Sequence, residues 1–176
     1  ETFWVSNTVR DFPEITGIYD IHTYPSKITV NSGQYTEIIK AYKDASAPGS
    51  KIVMGEIGFK YQEPEDACYQ AENLKRAANL AHASTEDSQM FVYDYMYGTD
   101  MADAVFQTIN AGYSGCVAWM LDDAMHYKEP GKLKIWGFWN IFGDERYGAE
   151  HETVRPWFYA WSLLCRYIPR GTDFYT

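Results

Sequence analysis

Glu56 is the residue with the clearest chemical potential in this chain. It sits in the run Ile52-Val53-Met54-Gly55-Glu56-Ile57-Gly58-Phe59, where a carboxylate is costly to bury unless it lines a polar cavity. The flanking glycines allow a substrate or another backbone to come close; the competing roles for such a Glu are to cap the next helix or to pair with an Arg. Two other apolar segments end in groups of a related kind, Asp20-Ile21-His22-Thr23-Tyr24-Pro25 and Ala118-Trp119-Met120-Leu121-Asp122-Asp123. Carboxylate, imidazole, phenol and indole groups at neighbouring strand ends are the equipment for binding and cleaving a polyhydroxylated ligand. Taken singly, His22 also reads as a structurally satisfied histidine and Trp119 as a packing residue.

A long connection follows the third segment. It begins Asp122-Asp123-Ala124-Met125-His126-Tyr127 and ends Lys134-Ile135-Trp136-Gly137-Phe138-Trp139-Asn140. Long loops of this composition shape specificity, so Asp122, Trp136 and Trp139 are candidate substrate contacts, with a hydrophobic plug as the alternative. Tyr93, Asp94, Tyr95 and Tyr97 either line a subsite or pack between helices. Asp122, Asp123 and His126 lack the spacing of a defined metal site, and no metal or other cofactor is expected. Cys68, Cys116 and Cys165 show no zinc-type spacing and read as buried thiols.

These groups need elements to position them. Residues 15–21, 51–57 and 115–121 read as buried strands, rich in β-branched and apolar residues and bounded by turn formers. Helical spacing links Tyr35, Ile38, Ile39 and Tyr42 behind an Asn31/Ser32 cap. A second helix opens at Pro64 and carries Ala67, Ala71, Leu74, Ala78 and Ala81 as a small-residue stripe. Another starts near Thr99/Asp100, buries Met101, Ala102, Val105, Phe106 and Ile109, and stops at Gly112. The last runs from a Thr153 cap through Trp157, Trp161 and Leu164 to Pro169 and Gly171. Residues 4–12 read as the tail of a preceding helix. Strands alternating with helices imply right-handed βαβ units and a parallel sheet. Glycine-rich phosphate loops are missing where an open nucleotide-binding sheet would carry them. A complete (β/α)8 barrel takes about 250 residues, so 176 residues with three such units suggest part of one.

Composition narrows the partners. The formal net charge of -9, with no cluster of Lys and Arg, argues against nucleic acid. No apolar run approaches the roughly 20 residues needed to span a bilayer, so no membrane partner is expected. The chain does not begin with Met, as a processed product or excised piece would not. Aromatics make up 17% of the residues, with 15 Tyr, 9 Phe and 6 Trp, more than a core of this size requires. Apolar sugar faces pack on such rings while acidic and amide groups meet the hydroxyls, so the surplus suits carbohydrate.

The strand-end motifs together resemble clan A of the retaining glycoside hydrolases, the cellulase-like and β-xylosidase-like (β/α)8 barrels, over nearly the whole chain. His22 and Tyr24 match the His-x-Tyr pair of strand six, Glu56 the nucleophile of strand seven, and Trp119 the subsite Trp of strand eight. The resemblance implies an α/β fold: the C-terminal part of a TIM barrel, strands six to eight with outer helices, spanning 1–176 as a partial catalytic domain. It implies that Glu56 attacks the anomeric carbon, Tyr24 holds it ionised and aimed, His22 bonds a sugar hydroxyl or the nucleophile's neighbours, and Trp119 stacks on the sugar. Asp20, Asp122, Trp136 and Trp139 join Trp119 as expected substrate contacts. The acid/base Glu of the clan follows an Asn at the end of strand four; no such dipeptide exists here, so it is expected upstream and the chain alone is expected to be inactive. Two further expectations are an extracellular or periplasmic location and a partner, the missing barrel half or a second copy, that covers the open sheet edge. The alternative function is a barrel-derived carbohydrate-binding protein without turnover.

Overall fold

The computed structural model describes residues 2–14, 17–140 and 143–175. Helix α1 (Phe3–Asp11) precedes strand β1 (Ile18–Thr23), then come α2 (Lys27–Asn31), α3 (Gln34–Ala45), β2 (Lys51–Ile57), α4 (Ala67–Asn79), α5 (Tyr95–Asn110), β3 (Cys116–Ala118), the short pair β4 (Ala124–Met125) and β5 (Leu133–Lys134), and α6 (Pro156–Tyr167). Strands β1, β2 and β3 form one parallel sheet in that order. The chain is thus a mixed α/β protein whose consecutive parallel strands are joined through helices.

Several boundaries differ from the sequence expectation, each for a local reason. Ile15 and Thr16 lie outside the described residues, and β1 continues two residues beyond Ile21, so His22 is within the strand. α3 begins behind Gly33, whose φ of 77° belongs to the left-handed region open to glycine; Asn31 and Ser32 instead end the separate turn α2, which Ser26 caps. α5 starts a turn earlier than Thr99 because Gly98 is a packing residue: a Cβ there would lie 3.0 Å from the Ala160 Cβ and 3.1 Å from the Trp157 Cα, so the missing side chain lets α5 approach α6. α6 starts at Pro156 with Arg155, not Thr153, in the capping position.

On α4 the small-residue stripe is the wrong face. Ala67, Ala71, Leu74, Ala78 and Ala81 are exposed, while Ala77 is buried and polar groups on its side are tied down. Asn73 donates to Ser88 O at 2.8 Å and accepts from Met90 N at 2.7 Å, and the Arg76 guanidinium lies 4.7 Å from the centre of the Phe91 ring. Specific bonds outweigh the weak pull of alanine. The cysteines are also corrected: all are free, Cys68 and Cys165 are exposed on helices, and Cys116 is half-buried, where burial pushes its thiol up to about 12.

The core lies on one face of the sheet. Ile21, Ile52, Met54 and Ile57 pack with Val30, Tyr35, Ile39, Met101 and Ala104 from the helices. Tyr35 and Thr23 hydroxyls bond at 2.6 Å and Tyr113 donates to Ile39 O at 3.0 Å, anchoring α3 to the strands. Among the described residues, no helix covers the opposite face. Ile18 and Val117 there are 62% and 60% exposed, although parallel sheets occur almost only with both faces covered.

Candidate functional site

The position of Glu56 is set by a bulge in the central strand. Register runs Ile21↔Met54 and then His22↔Glu56, so Gly55 has no partner in β1. Met54 points into the core; strict alternation would send Gly55 outward, Glu56 under the helices and Ile57 outward. The extra residue resets the alternation, so Ile57 is buried and Glu56 emerges on the open face. Bulges are devices for re-aiming a side chain in this way.

Gly55 serves the site twice. A Cβ at that position would lie 1.9 Å from Asp20 Oδ1, so the Asp20 carboxylate occupies the space that glycine leaves. From there Asp20 Oδ2 sits 3.3 Å from His22 Nε2, and His22 Nδ1 sits 3.3 Å from Glu56 Oε2. A neutral imidazole can donate to only one of these carboxylates; imidazolium can donate to both. The Tyr24 hydroxyl donates to the same Glu56 Oε2 in a short hydrogen bond. Burial first, and then the bond and charge of Glu56, push the Tyr24 phenol well above its ordinary range, so it stays a hydrogen-bond donor to Glu56 across the working pH range.

The aromatic wall comes from the third strand and its loop. The Trp119 amide donates to Ile57 O at 2.9 Å, which brings the indole-bearing residue to the C-terminal end of β2; the Trp119–Met120 peptide is cis. Gly58 touches both sides of this wall, since a Cβ on it would lie 3.0 Å from Trp136 Cζ3 and 3.2 Å from Trp119 O. Trp136 is buried, meets Tyr24 edge-on at 5.6 Å between centroids, and donates its indole N–H to Asp87 O at 3.2 Å. The loop carrying Trp136 is clamped from below. Asp123 Oδ1 accepts from Trp136 N at 3.0 Å and Gly137 N at 2.9 Å, and both Asp123 oxygens bind Arg155, at 2.8 and 2.5 Å. Both side chains of that pair are buried. Burial opposes the Arg155 charge, but the bonds to Asp123 prevail and hold its guanidinium above its ordinary value.

Among the sequence candidates, Asp20, His22, Tyr24 and Glu56 thus form one connected cluster, with Trp119 and Trp136 at the same strand ends. Trp139 is different: its ring packs on Phe158 of α6 at 6.2 Å, and Phe138 stacks on Trp157 at 3.9 Å, so this part of the loop is plug rather than cleft. Asp122 is half-buried and bridges to Trp139 through the backbone. Of the 93–97 group, Tyr93, Asp94 and Tyr97 pack between helices, while Tyr95 is exposed. Tyr97 is buried, Asp94 binds Arg76 at 2.8 Å, and Tyr93 meets Arg155 at 3.3 Å.

Two features were not legible in advance. Lys60 lies with its ammonium 5.1 Å from the Tyr24 ring centre and 5.8 Å from that of Trp136; its only sequence signal is its place three residues past β2. His126 meets Glu86 and Glu129 rather than Asp122 and Asp123, giving three potential metal-ligand atoms within 4.8 Å. That cluster is already neutralised by protein groups. The Glu129 amide donates to His126 Nδ1 at 3.1 Å, Ser84 donates to Glu129, and Lys128 binds Glu86 at 3.2 Å. Among the described residues, no helix is long and apolar enough to cross a membrane. Compared with models of known families, with characterised proteins and with solved structures, the chain matches none.

Proposed function

We propose that this chain is the C-terminal part of a (β/α)8 barrel, strands six to eight with their outer helices, from a retaining glycoside hydrolase acting on a glycoside, oligosaccharide or polysaccharide. The observation that carries this reading is the carboxylate of Glu56, turned by the Gly55 bulge onto the uncovered face of a parallel sheet and bonded there by Tyr24 beside His22. Active sites of barrels gather at the C-terminal ends of their strands, where these groups sit.

In this account Glu56 attacks the anomeric carbon as the glycosidic bond breaks, and a second carboxyl group about 5–5.5 Å away protonates the departing oxygen. Water, deprotonated by that same group, then releases the sugar from the Glu56 ester. Tyr24 aims Glu56, His22 orders the Asp20–Glu56 pair and meets a sugar hydroxyl, Trp119 gives the ring an apolar face, and Trp136 backs Tyr24 edge-on. The acid/base is contributed by the complementary barrel segment, which also covers the open face, so the chain alone turns nothing over. The site is outside the cytoplasm, extracellular or periplasmic, where polysaccharide is met.

A carbohydrate-binding protein without turnover is the second reading. What favours it is that the other carboxylate in the cluster, Asp20, is engaged by His22. Hydrolysis of aryl glycosides by the complete barrel, wild type against Glu56→Gln, separates the two. A nucleophile predicts a loss of at least about 10⁴-fold in kcat with sugar binding retained. Equal hydrolysis by both proteins contradicts the role of Glu56, and binding without hydrolysis in either favours the second reading.

A further inference from the structure

Among the described residues, Lys60 is a cation without a counter-ion at the rim of the candidate site. Its backbone amide donates to Pro25 O at 3.1 Å, fixing the residue beside the end of β1, and its ammonium lies against the rings of Tyr24 and Trp136. Among the described residues, no carboxylate comes within ion-pair distance of it. Asp87, whose charge reaches Tyr24, is taken by Lys134 at 2.7 Å. Other half-buried cations meet an oxygen of the protein: Lys27 that of Asp100 at 2.6 Å, Arg76 those of Glu72 and Asp94 at 2.8 Å each, and Lys43 and Lys132 the carbonyls of Ser50 and Ala81. In a chain of net charge -9, an unmatched ammonium on two aromatic faces is a place kept for a ligand anion.

The space around it is suited to a sugar. A recess of about 330 Å³ is lined by Thr23, Tyr24, Ser26, Gln62 and Glu63 with Lys60, and a second of about 130 Å³ by Gln62, Asn73, Gln89 and Trp136 with Lys60. Lys60 and Gln62 stand between the two. Hydroxyl and amide groups therefore surround one cation, together with the carboxylates of Glu63 in the first recess and of Glu86 and Asp87 in the second; Lys128 and Lys134 pair the latter two, while Asp20 and Glu56 at the strand ends would repel a free anion. A ligand that meets both environments needs a neutral reacting end for Glu56 and a negative substituent for Lys60.

We propose that this site takes a sugar bearing a carboxylate, a uronic acid residue, with Lys60 pairing its carboxylate. The inference rests on the glycosidase reading above. A charge-assisted hydrogen bond of this kind is worth roughly 10- to 100-fold in affinity, and an ammonium at a half-exposed rim is sensitive to salt.

The test is titration of the full chain with methyl β-glucuronide against methyl β-glucoside, and methyl β-galacturonide against methyl β-galactoside, followed by ligand-observed NMR. The expected result is a uronide bound at least about tenfold more tightly than its neutral partner in one pair, a preference that weakens with added salt, collapses in Lys60→Met and survives in Lys60→Arg. Thermal melts of both variants check that the fold is kept. Equal affinity for uronide and neutral glycoside, or a preference unchanged in Lys60→Met, overturns the inference while leaving sugar recognition standing. Failure of every sugar to bind, in wild type and variants alike, overturns the glycosidase reading and this inference with it.

Discussion

At the scale of single residues, the cluster depends on one carboxylate oxygen, Glu56 Oε2, which accepts from the Tyr24 hydroxyl and lies 3.3 Å from His22 Nδ1. Removing the phenol oxygen deletes a hydrogen bond to a charged group, worth about 1.5–3 kcal/mol. Tyr24→Phe in the complete barrel is therefore expected to lower kcat by about 10- to 100-fold with the fold intact, because the ring keeps its edge-on contact with Trp136. Steady-state kinetics and a thermal melt together check this; an unchanged kcat would show that the bond plays no part in turnover. The candidate residues themselves were legible in the sequence, because Glu, His and Tyr at the ends of apolar runs stand out by cost. Lys60 was not, since its meaning comes only from which rings it lies against and which carboxylates it fails to meet.

At the scale of elements, β2 was read correctly from Lys51 to Ile57, yet the property that matters within it was hidden. Gly55 was legible as a small residue allowing close approach, but the bulge it makes exists only relative to the partner strand. Deleting Gly55 should restore simple alternation, turning Glu56 beneath the helices and Ile57 out to solvent. Exposing the isoleucine alone costs about 1.5–3 kcal/mol, and the buried carboxylate adds several more. The deletion is expected to be unfolded or to lose most of its urea midpoint; native-like stability would contradict the bulge. Likewise the helices α4 and α5 were foreseen, but not the side on which α4 packs or the early start of α5, because Asn73 bonding and the Gly98 contact with α6 are tertiary.

A second element-level prediction concerns the turn after α4. His82 packs on His151 at 4.3 Å and on Tyr147 at 4.6 Å between ring centres, and its Nε2 has no hydrogen-bond partner among the described residues. Burial and, after it, the neighbouring His151 lower its affinity for a proton. The unfolded chain then binds a proton that the folded one refuses, so stability falls as pH drops below the unfolded value of about 6.5. Urea midpoints at pH 7.5 and 5.5 should show this loss, and His82→Gln should reduce it; an identical pH dependence in the variant would contradict the assignment.

For the whole molecule, the decisive feature is a parallel sheet covered on one side only. Val117 and Ile18 lie bare on the same face as the polar cluster, so the surface that carries the polar cluster also exposes apolar side chains. The isolated chain is expected to bind a hydrophobic dye or to self-associate, and Val117→Asp to reduce that; a dye-free monomer at high concentration would count against an uncovered face. On the proposed reading, a complementary barrel segment would bring the acid/base to Glu56 and enclose the site in the same step.

Trapping the completed barrel with a 2-deoxy-2-fluoro glycoside, followed by peptide mapping, reads out the reacting residue itself. The account predicts an ester on Glu56 and none in Glu56→Gln. A stable label on any other carboxylate, with Glu56 unmodified, would contradict it.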